Sequence, residues 1–281
     1  NAASRPERHN LSRVRAGEYE GLEDKLADPQ WAPDFGPSEL NASAGATAVG
    51  AREFLVAYNI DLNTTDRRYA NEIAYAVRER GRWKRTGNTE PFYYKGTVVK
   101  FPGDGTYPCG PCDFVGASFE ELEAHYCDEH DGDLRQRYKD LGIDPDNPTG
   151  PVYTDGQFTH VKAIGWVIDE FKRAQVSMNL TNPKEAALHD VLEATREAAR
   201  ERGIAITGSE IVGVVPYEVM REAALFYLRR MHKSTGAPVP DLMETAIQSL
   251  GLRDVAPFEA DEKGLAMPLL DGPLVNRATF D

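Results

Sequence analysis

The chain of 281 residues has only three cysteines, Cys109, Cys112 and Cys127, and all three lie within one short stretch. An odd and clustered set does not form the disulfide framework of a small secreted protein. It is typical of a reducing compartment and of a local metal site. We therefore expect a cytoplasmic location.

Long apolar runs are also missing from the sequence. No stretch approaches the roughly eighteen apolar residues that a membrane span requires, so no membrane partner is expected. The N-terminal sequence NAASRPERHN lacks the apolar segment of a secretory signal peptide. Because the first residue is Asn rather than Met, we expect a processed product or a fragment of a longer reading frame.

Basic residues are in deficit, with 32 Lys and Arg against 45 Asp and Glu and a formal net charge of −13. Like charge repels nucleic acid, so no nucleic-acid partner is expected. A phosphate-binding glycine fingerprint and a Ser-His-Asp or Cys-His nucleophile pattern are not visible. Hydrophobic residues make up 41% of the chain, which is ordinary for a globular protein of one or two domains.

A loop punctuated by glycine leads into an alternating strand at 53–62. Gly45 and Gly50 allow the backbone to approach a partner or a ligand where a Cβ atom would obstruct it. Every second residue of the strand is apolar, which sends these residues to one face. The opposite face ends in Asn59 and Asp61, which suit a polar ligand better than a core. The apolar set is Phe54, Val56, Tyr58, Ile60 and Leu62.

The order of predicted elements indicates an α+β fold. Strands and helices follow one another as β-α-β-β-α-β, the split βαβ or ferredoxin-like arrangement, and two C-terminal helices follow. Asn182-Pro183 with Glu185 predicts an N-cap, a proline at the first helical position and a capping-box acid. Gly81 is a candidate for the position after the first helix. The predicted strands are 53–62, 160–168, 173–181 and 205–215, and the helices are 66–80, 183–202, 217–232 and 240–250.

A polar face at the centre of this sheet is the first candidate site. The first and third strands of this topology are central neighbours, and the face away from the helices needs water, a domain or a ligand. Ser209 or Glu210, at the start of the last strand, is a further candidate for the same cleft, although such residues are usually exposed. The face would carry Asn59, Asp61, Gln175, Ser177 and Asn179.

The second candidate is a metal site inside the irregular segment 83–158. Cys109 and Cys112 have C-x2-C spacing, and His125 and His130 follow at the spacing of a zinc finger. A hairpin knuckle presents the two thiolates, and one helix face presents the two imidazoles. Cys127 is an alternative ligand if the helix register differs. We therefore expect a structural zinc that folds a small insertion.

Charged residues around this finger argue against a DNA-reading role, because its helix carries many acids where DNA-binding fingers need donors. A role in protein contact stays open. The basic residues just before the insertion are expected to form a solvated surface, with an anion contact as the alternative. They are Arg78, Arg80, Arg82, Lys84 and Arg85.

Several separate segments, in the same order, resemble the glutamate formiminotransferase family. They are RAGEYEGLEDKL, WAPDFGPS, GATAVGAREFLVAYNIDLNT, VKAIGW, AQVSMNLTN and GSEIVGVVP. The resemblance covers residues 11–82 and 159–258. It implies transfer of a formimino group between N-formimino-L-glutamate and tetrahydrofolate in histidine degradation, and it suggests a homodimer.

The resemblance also implies a division of the chain. Residues 1–50 would end the first half of the transferase module and hold folate. Residues 51–82 and 159–258 would form the second, ferredoxin-like half, with 83–158 as the zinc-bearing insertion and 259–281 as a tail. The insertion lies outside the family pattern.

The family holds folate at the position of the loop GPSELNASAG. The resemblance is good at five loop residues and departs at Glu39, Asn41 and Ala44. Arg52, just before the first strand, is a candidate to hold a substrate carboxylate. The folate loop comprises Gly36, Pro37, Ser38, Glu39, Leu40, Asn41, Ala42, Ser43, Ala44 and Gly45.

The family's catalytic histidine belongs to a segment of the first half that has no counterpart in this sequence, so no catalytic residue is assigned. The resemblance therefore implies a partner, the N-terminal transferase half, from the same reading frame or from a separate chain. Two alternatives stay open: a non-catalytic, zinc-stapled interaction module, and a transferase that uses formylglutamate.

Overall fold

The computed structural model describes residues 5, 8, 11–51, 53–87, 92–101, 105–258 and 264–265. The chain divides into two compact units, Asn1–Glu53 and Phe54–Asp281. In the first unit, helix α1 spans Leu11–Val14 and helix α2 spans Leu22–Ala27. The Trp31 ring lies under two cations of the same unit: the Arg8 guanidinium at 5.5 Å and the Lys25 ammonium at 4.4 Å from the ring centroid.

The second unit contains the remaining elements. In chain order they are β1 (Val56–Leu62), α3 (Arg67–Val77), β2 (Arg85–Thr86), β3 (Thr97–Val98), β4 (Tyr107–Pro108), β5 (Val115–Gly116), α4 (Phe119–His130), α5 (Leu134–Leu141), β6 (Val161–Ile168), β7 (Arg173–Leu180), α6 (Leu188–Glu201), β8 (Ile206–Val212), β9 (Val215–Pro216), α7 (Tyr217–Arg230), α8 (Val239–Leu250) and β10 (Gly264–Leu265).

The main sheet has four antiparallel strands in the order β6-β7-β1-β8. β1 and β7 are therefore central neighbours, as the sequence predicts. One face of the sheet is apolar because Val56, Tyr58, Ile60 and Leu62 alternate with the polar residues of β1, and all four are fully buried. Helices α3 and α6 pack on this face and contribute to the same core.

Gly165 on β6 lets helix α3 approach the sheet closely. A Cβ atom at this position would lie 2.3 Å from the Asn71 backbone nitrogen and 2.5 Å from the Ala70 carbonyl carbon. The Asn71 side-chain oxygen accepts from the Gly165 N–H at 3.1 Å, and Arg67 donates to the Gly165 carbonyl at 3.0 Å. The absence of a side chain at Gly165 therefore sets the distance between helix and sheet.

Three local expectations are corrected. Helix α6 begins at Leu188, and Asn182 instead closes a separate turn: its side chain accepts from the Lys184 N–H and its carbonyl from the N–H groups of residues 185 and 186. Helix α3 ends at Val77 with an extended residue after it, so Gly81 does not cap it. Phe54 precedes the strand and is 62% exposed.

The segment between α3 and β6 has a small buried core of its own. It comprises Cys109, Phe119, Leu122, Tyr126, Leu134 and Tyr138. Two strand-like bridges, Trp83 with Tyr153 and Lys100 with Pro151, bring the two ends of the segment together.

Most of the basic residues before this segment are not the solvated surface that the sequence predicts, although Arg80 is exposed. Arg82 is buried and pairs with buried Glu72 of α3 at 2.8 Å. The Lys84 ammonium donates to the carbonyls of Cys109 and Cys112, and Arg85 donates to the Gly96 carbonyl at 2.6 Å. Carbonyl and carboxylate acceptors that are removed from water require donors, and these side chains supply them.

No helix in the described part of the chain is both long and apolar enough to cross a membrane. The predicted tail at 259–281 falls outside the described residues except for β10.

We predict that Gly165→Ala lowers the free energy of unfolding by roughly 3 kcal/mol. The new methyl group would clash with backbone atoms of α3, which can move away only if the helix shifts from the sheet. Urea denaturation followed by circular dichroism measures this. Gly236→Ala is the matched control, since its new methyl group would meet only the Ser234 hydroxyl at 3.7 Å. Equal stability of the two variants would contradict the close packing of α3 on β6.

Candidate functional site

The polar face of the central strands carries a connected set of hydrogen bonds. Asn59 donates to the Glu210 carboxylate at 2.8 Å. One nitrogen, Nε2 of Gln175, lies within hydrogen-bonding distance of both Asp61 (2.9 Å) and Glu210 (3.1 Å). The Trp166 indole N–H donates to the Gln175 oxygen at 2.7 Å. Pairing of β1 with β7 and β8 places these residues side by side, because Asn59 lies opposite Ser177 and Glu210, and Asp61 lies opposite Gln175.

Asp61 is the most unusual member of this set, because it is 1% exposed yet faces away from the helices. Its Oδ2 atom is buried and accepts no hydrogen bond within the described part of the chain. Burial raises the pKa of the Asp61 carboxyl, the Gln175 hydrogen bond opposes this, and the nearby Glu210 carboxylate raises it further. The centre of the face therefore has acceptor capacity that the protein does not fill.

The structure places Ser209 and Glu210, the two candidates on the last strand, on opposite faces of the sheet. Glu210 joins the polar face. Ser209 lies opposite Ile60, on the helix side, where its buried hydroxyl donates to the Leu250 carbonyl at 2.6 Å. Ser177 is half-buried beside Asn59, and Asn179 is exposed opposite Ala57, away from the connected set.

Trp166 and Arg173 belong to this face but were not predicted from the sequence. Trp166 is 42% exposed and lies opposite Gln175. Arg173 extends to Asp254 and the Thr207 hydroxyl at the end of the face. Asp254 lies over Gly208, where a Cβ atom would come within 2.1 Å of it. The alternation of β6, with Lys162, Ile164 and Trp166 on one side, is the signal that could have found the indole.

The predicted folate loop lies in the first unit and is mostly exposed, from Gly36 to Ala44. Asn41 organises it, since its side-chain oxygen accepts from the Ser43 N–H, the Ser43 hydroxyl and the Ala44 N–H at 2.9–3.0 Å. Tyr19 donates to the Ala42 carbonyl at 2.8 Å. Asn41, where the sequence departs from the family, thus has a structural part in holding the turn. The predicted carboxylate-binding residue Arg52 lies outside the described residues.

The four predicted zinc ligands come together. The hairpin of β4 and β5 presents Cys109 and Cys112, and helix α4 presents His125 and His130. One ligand atom from each residue lies within 4.8 Å of all the others. The sulfur–nitrogen separations are 3.5 Å for Cys109–His130 and 3.1 Å for Cys112–His125. A tetrahedral zinc with ordinary bond lengths separates sulfur and nitrogen by about 3.5 Å, so the residues fit this metal.

Neighbouring groups shape this cluster. The Phe114 ring stacks on His125 with centroids 3.9 Å apart, which fixes the imidazole plane. Burial raises the pKa of the Cys109 thiol to about 11, so a bound cation is needed to hold it as thiolate at neutral pH. Cys127 is exposed and is not among the four residues of the cluster.

Comparison with known proteins identifies the family of this chain. The family model described as formiminotransferase domain matches residues 57–267, and the model for the N-terminal subdomain of that domain matches residues 1–52. The formimidoyltransferase-cyclodeaminase of Mus musculus is 32% identical over 262 residues, which is 93% of this chain and 36% of the relative.

Two other relatives are similar in the same way. The formimidoyltransferase-cyclodeaminase of Dictyostelium discoideum is 33% identical over 82% of this chain and 30% of its own length. The glutamate formimidoyltransferase of Streptococcus pyogenes serotype M1 is 28% identical over 81% of this chain and 52% of its own length. The chain thus spans between about a third and about half of the curated relatives it matches. The breadth of the family-model match shows that the chain belongs to the formiminotransferase family.

Proposed function

We propose that this chain provides the folate-binding part of a glutamate formiminotransferase, which moves a formimino group between N-formimino-L-glutamate and tetrahydrofolate in histidine degradation. The observation that carries the proposal is the family match over residues 57–267, which includes the whole polar sheet face. A non-catalytic interaction module is not favoured by this match. Two of the relatives carry the name glutamate formimidoyltransferase.

We propose that β1, α3, β6, β7, α6 and β8 form a ferredoxin-like subdomain. The strand order β6-β7-β1-β8 and the packing of both helices on one face support this arrangement. Residues 51–82 and 159–258 would contain it, residues 83–158 would be an insertion, and residues 1–50 would hold the folate loop. The separate buried core around Leu122 supports the insertion boundaries.

The reaction requires a positioned amine and a controlled proton. The folate amine forms a bond to the formimino carbon, and the bond from that carbon to the glutamate nitrogen breaks. The proton that the folate amine gives up passes to the glutamate nitrogen. Asn59, Gln175 and Ser177 would orient the amide-like groups from the sheet face, and Arg52 would hold a carboxylate. Asn179 and Asp61 are the remaining proposed contacts of this substrate region.

We further propose the assembly that the resemblance implies. An N-terminal transferase half, from the same reading frame or a separate chain, would supply the catalytic histidine, and the enzyme would be a cytoplasmic homodimer. The clustered, reduced cysteines support the location. Cys109, Cys112, His125 and His130 would hold a structural zinc that stabilises the insertion, as their geometry permits.

The sheet face is tested by turnover of the chain combined with the N-terminal transferase half. Asn59→Ala and Gln175→Ala are each expected to lower turnover at least about tenfold, because misplaced substrate groups lose alignment. Gln248→Ala, on the surface of α8 with a bond only to Glu244, is the matched control. Unchanged turnover in both sheet variants would count against the proposed substrate face.

The loop is tested by folate binding. Asn41→Ala removes the acceptor of three hydrogen bonds and is expected to weaken binding of 5-formyltetrahydrofolate about fivefold, measured by calorimetry. Asn147→Ala, at an exposed position of the insertion, is the control. If the two variants bind equally, the loop does not hold folate.

The metal is tested by elemental analysis after purification without chelators. We expect about one zinc per chain, loss of zinc in Cys109→Ser, and retention in Cys127→Ser, because only the first residue belongs to the cluster. Chelator should lower the melting temperature of the parent and of Cys127→Ser. Less than about half an equivalent in the parent protein would exclude the proposed structural zinc.

A further inference from the structure

Asp61 and Glu210, here called the acidic pair, have fewer donors than their oxygens can accept. Their described donors are the carboxamides of Gln175 and Asn59. Within the described part of the chain, neither carboxylate forms an ion pair. Arg173, a cation at the end of the same face, pairs with Asp254. Two carboxylates held by neutral donors at the centre of a sheet form a site for a ligand with N–H groups.

Gln175 indicates the shape of that ligand. Its nitrogen lies between the two carboxylates, at 2.9 Å from Asp61 and 3.1 Å from Glu210. The group is planar and neutral, and the Trp166 indole N–H donates to its oxygen at 2.7 Å. A ligand that presents two parallel N–H donors from a planar N–C–N unit would donate to the same two carboxylates and also satisfy Asp61 Oδ2, which lacks a described partner.

We propose that the acidic pair binds a planar amidine edge beside the Gln175 carboxamide, and that the Trp166 indole, which donates to this carboxamide, reports the binding. Resting on the proposed function, two substrate groups have this chemistry: the formimino group, a cationic amidine when protonated, and the 2-amino and N3–H edge of a pterin. A formyl group presents a carbonyl oxygen instead, which two carboxylates repel. If the formimino group is its ligand, the acidic pair would therefore select a formimino donor over a formyl donor.

The direct test uses small probes that do not depend on the whole reaction. Formamidinium and its neutral analogue formamide are titrated separately into the full 281-residue chain, and the Trp166 indole N–H resonance is followed by NMR. Trp166→Phe assigns that resonance among the three tryptophans. We expect formamidinium to shift it at concentrations where formamide does not. Equal responses to the two probes would overturn the proposal.

Matched variants identify the carboxylates. Asp61→Asn and Glu210→Gln are each expected to weaken formamidinium binding at least about tenfold, as loss of a charge-assisted hydrogen bond predicts. Asp169→Asn and Glu170→Gln make the same changes in the exposed turn after β6 and should bind as the parent does. Glu210 is only half-buried, so its variant keeps the test valid if Asp61→Asn does not fold. Parent-like binding by a folded Glu210→Gln variant would overturn the proposal.

N-formimino-L-glutamate and 5-formyltetrahydrofolate then distinguish the two sources. A Trp166 shift with the first, lost in Glu210→Gln, assigns the formimino group, and the same result with the second assigns the pterin edge. If 5-formyltetrahydrofolate binds the chain but no probe shifts the Trp166 indole N–H resonance, the acidic-pair proposal fails while the proposed function stands. If formamidinium binds and neither substrate does, the amidine site stands and the proposed function fails.

Discussion

The register of the central strand β1 is the constraint on which the rest of the second unit depends. Val56, Tyr58, Ile60 and Leu62 are buried against the helices, so the residues between them must face the other way. Pairing with β7 and β8 on either side then places Gln175 and Glu210 beside Asp61 and Asn59. A slip of one residue would exchange the core and the polar face. Apolar burial on one side thus determines where the polar groups of the other side meet.

The polar face differs from a solvated surface in its burial. Asp61 and Gln175 are almost completely removed from water although they face away from α3 and α6. Trp166 donates to Gln175, and Arg173 pairs with Asp254 at the end of the same face. Burial makes the charged form of a carboxyl group less favourable, as the raised pKa of Asp61 reflects. Perturbed acidic groups of this kind are frequent at functional sites.

The segment between α3 and β6 is joined to the sheet unit by cations that donate hydrogen bonds to buried acceptors. Arg82 neutralises Glu72 of α3, and Lys84 satisfies two carbonyls of the hairpin that carries Cys109 and Cys112. The ligand cluster is therefore linked through two residues of one short segment to a core helix. The hairpin that carries Cys109 and Cys112 and the helix α3 thus contact the same short segment, although the sheet has a hydrophobic core of its own.

Sequence periodicity by itself determined the strands and most helix positions, because alternation and burial are local consequences of side-chain type. The order of these elements then predicted the central pairing of β1 with β7. Ligand spacing likewise determined the Cys and His cluster. Only the tertiary structure decided that Glu210 rather than Ser209 joins the polar face, since the pairing of β8 sets which side each residue takes. It also decided the burial of Arg82 and the contact of Trp166 with the polar face, because the acceptors of these two residues, Glu72 and Gln175, lie on separate elements, α3 and β7.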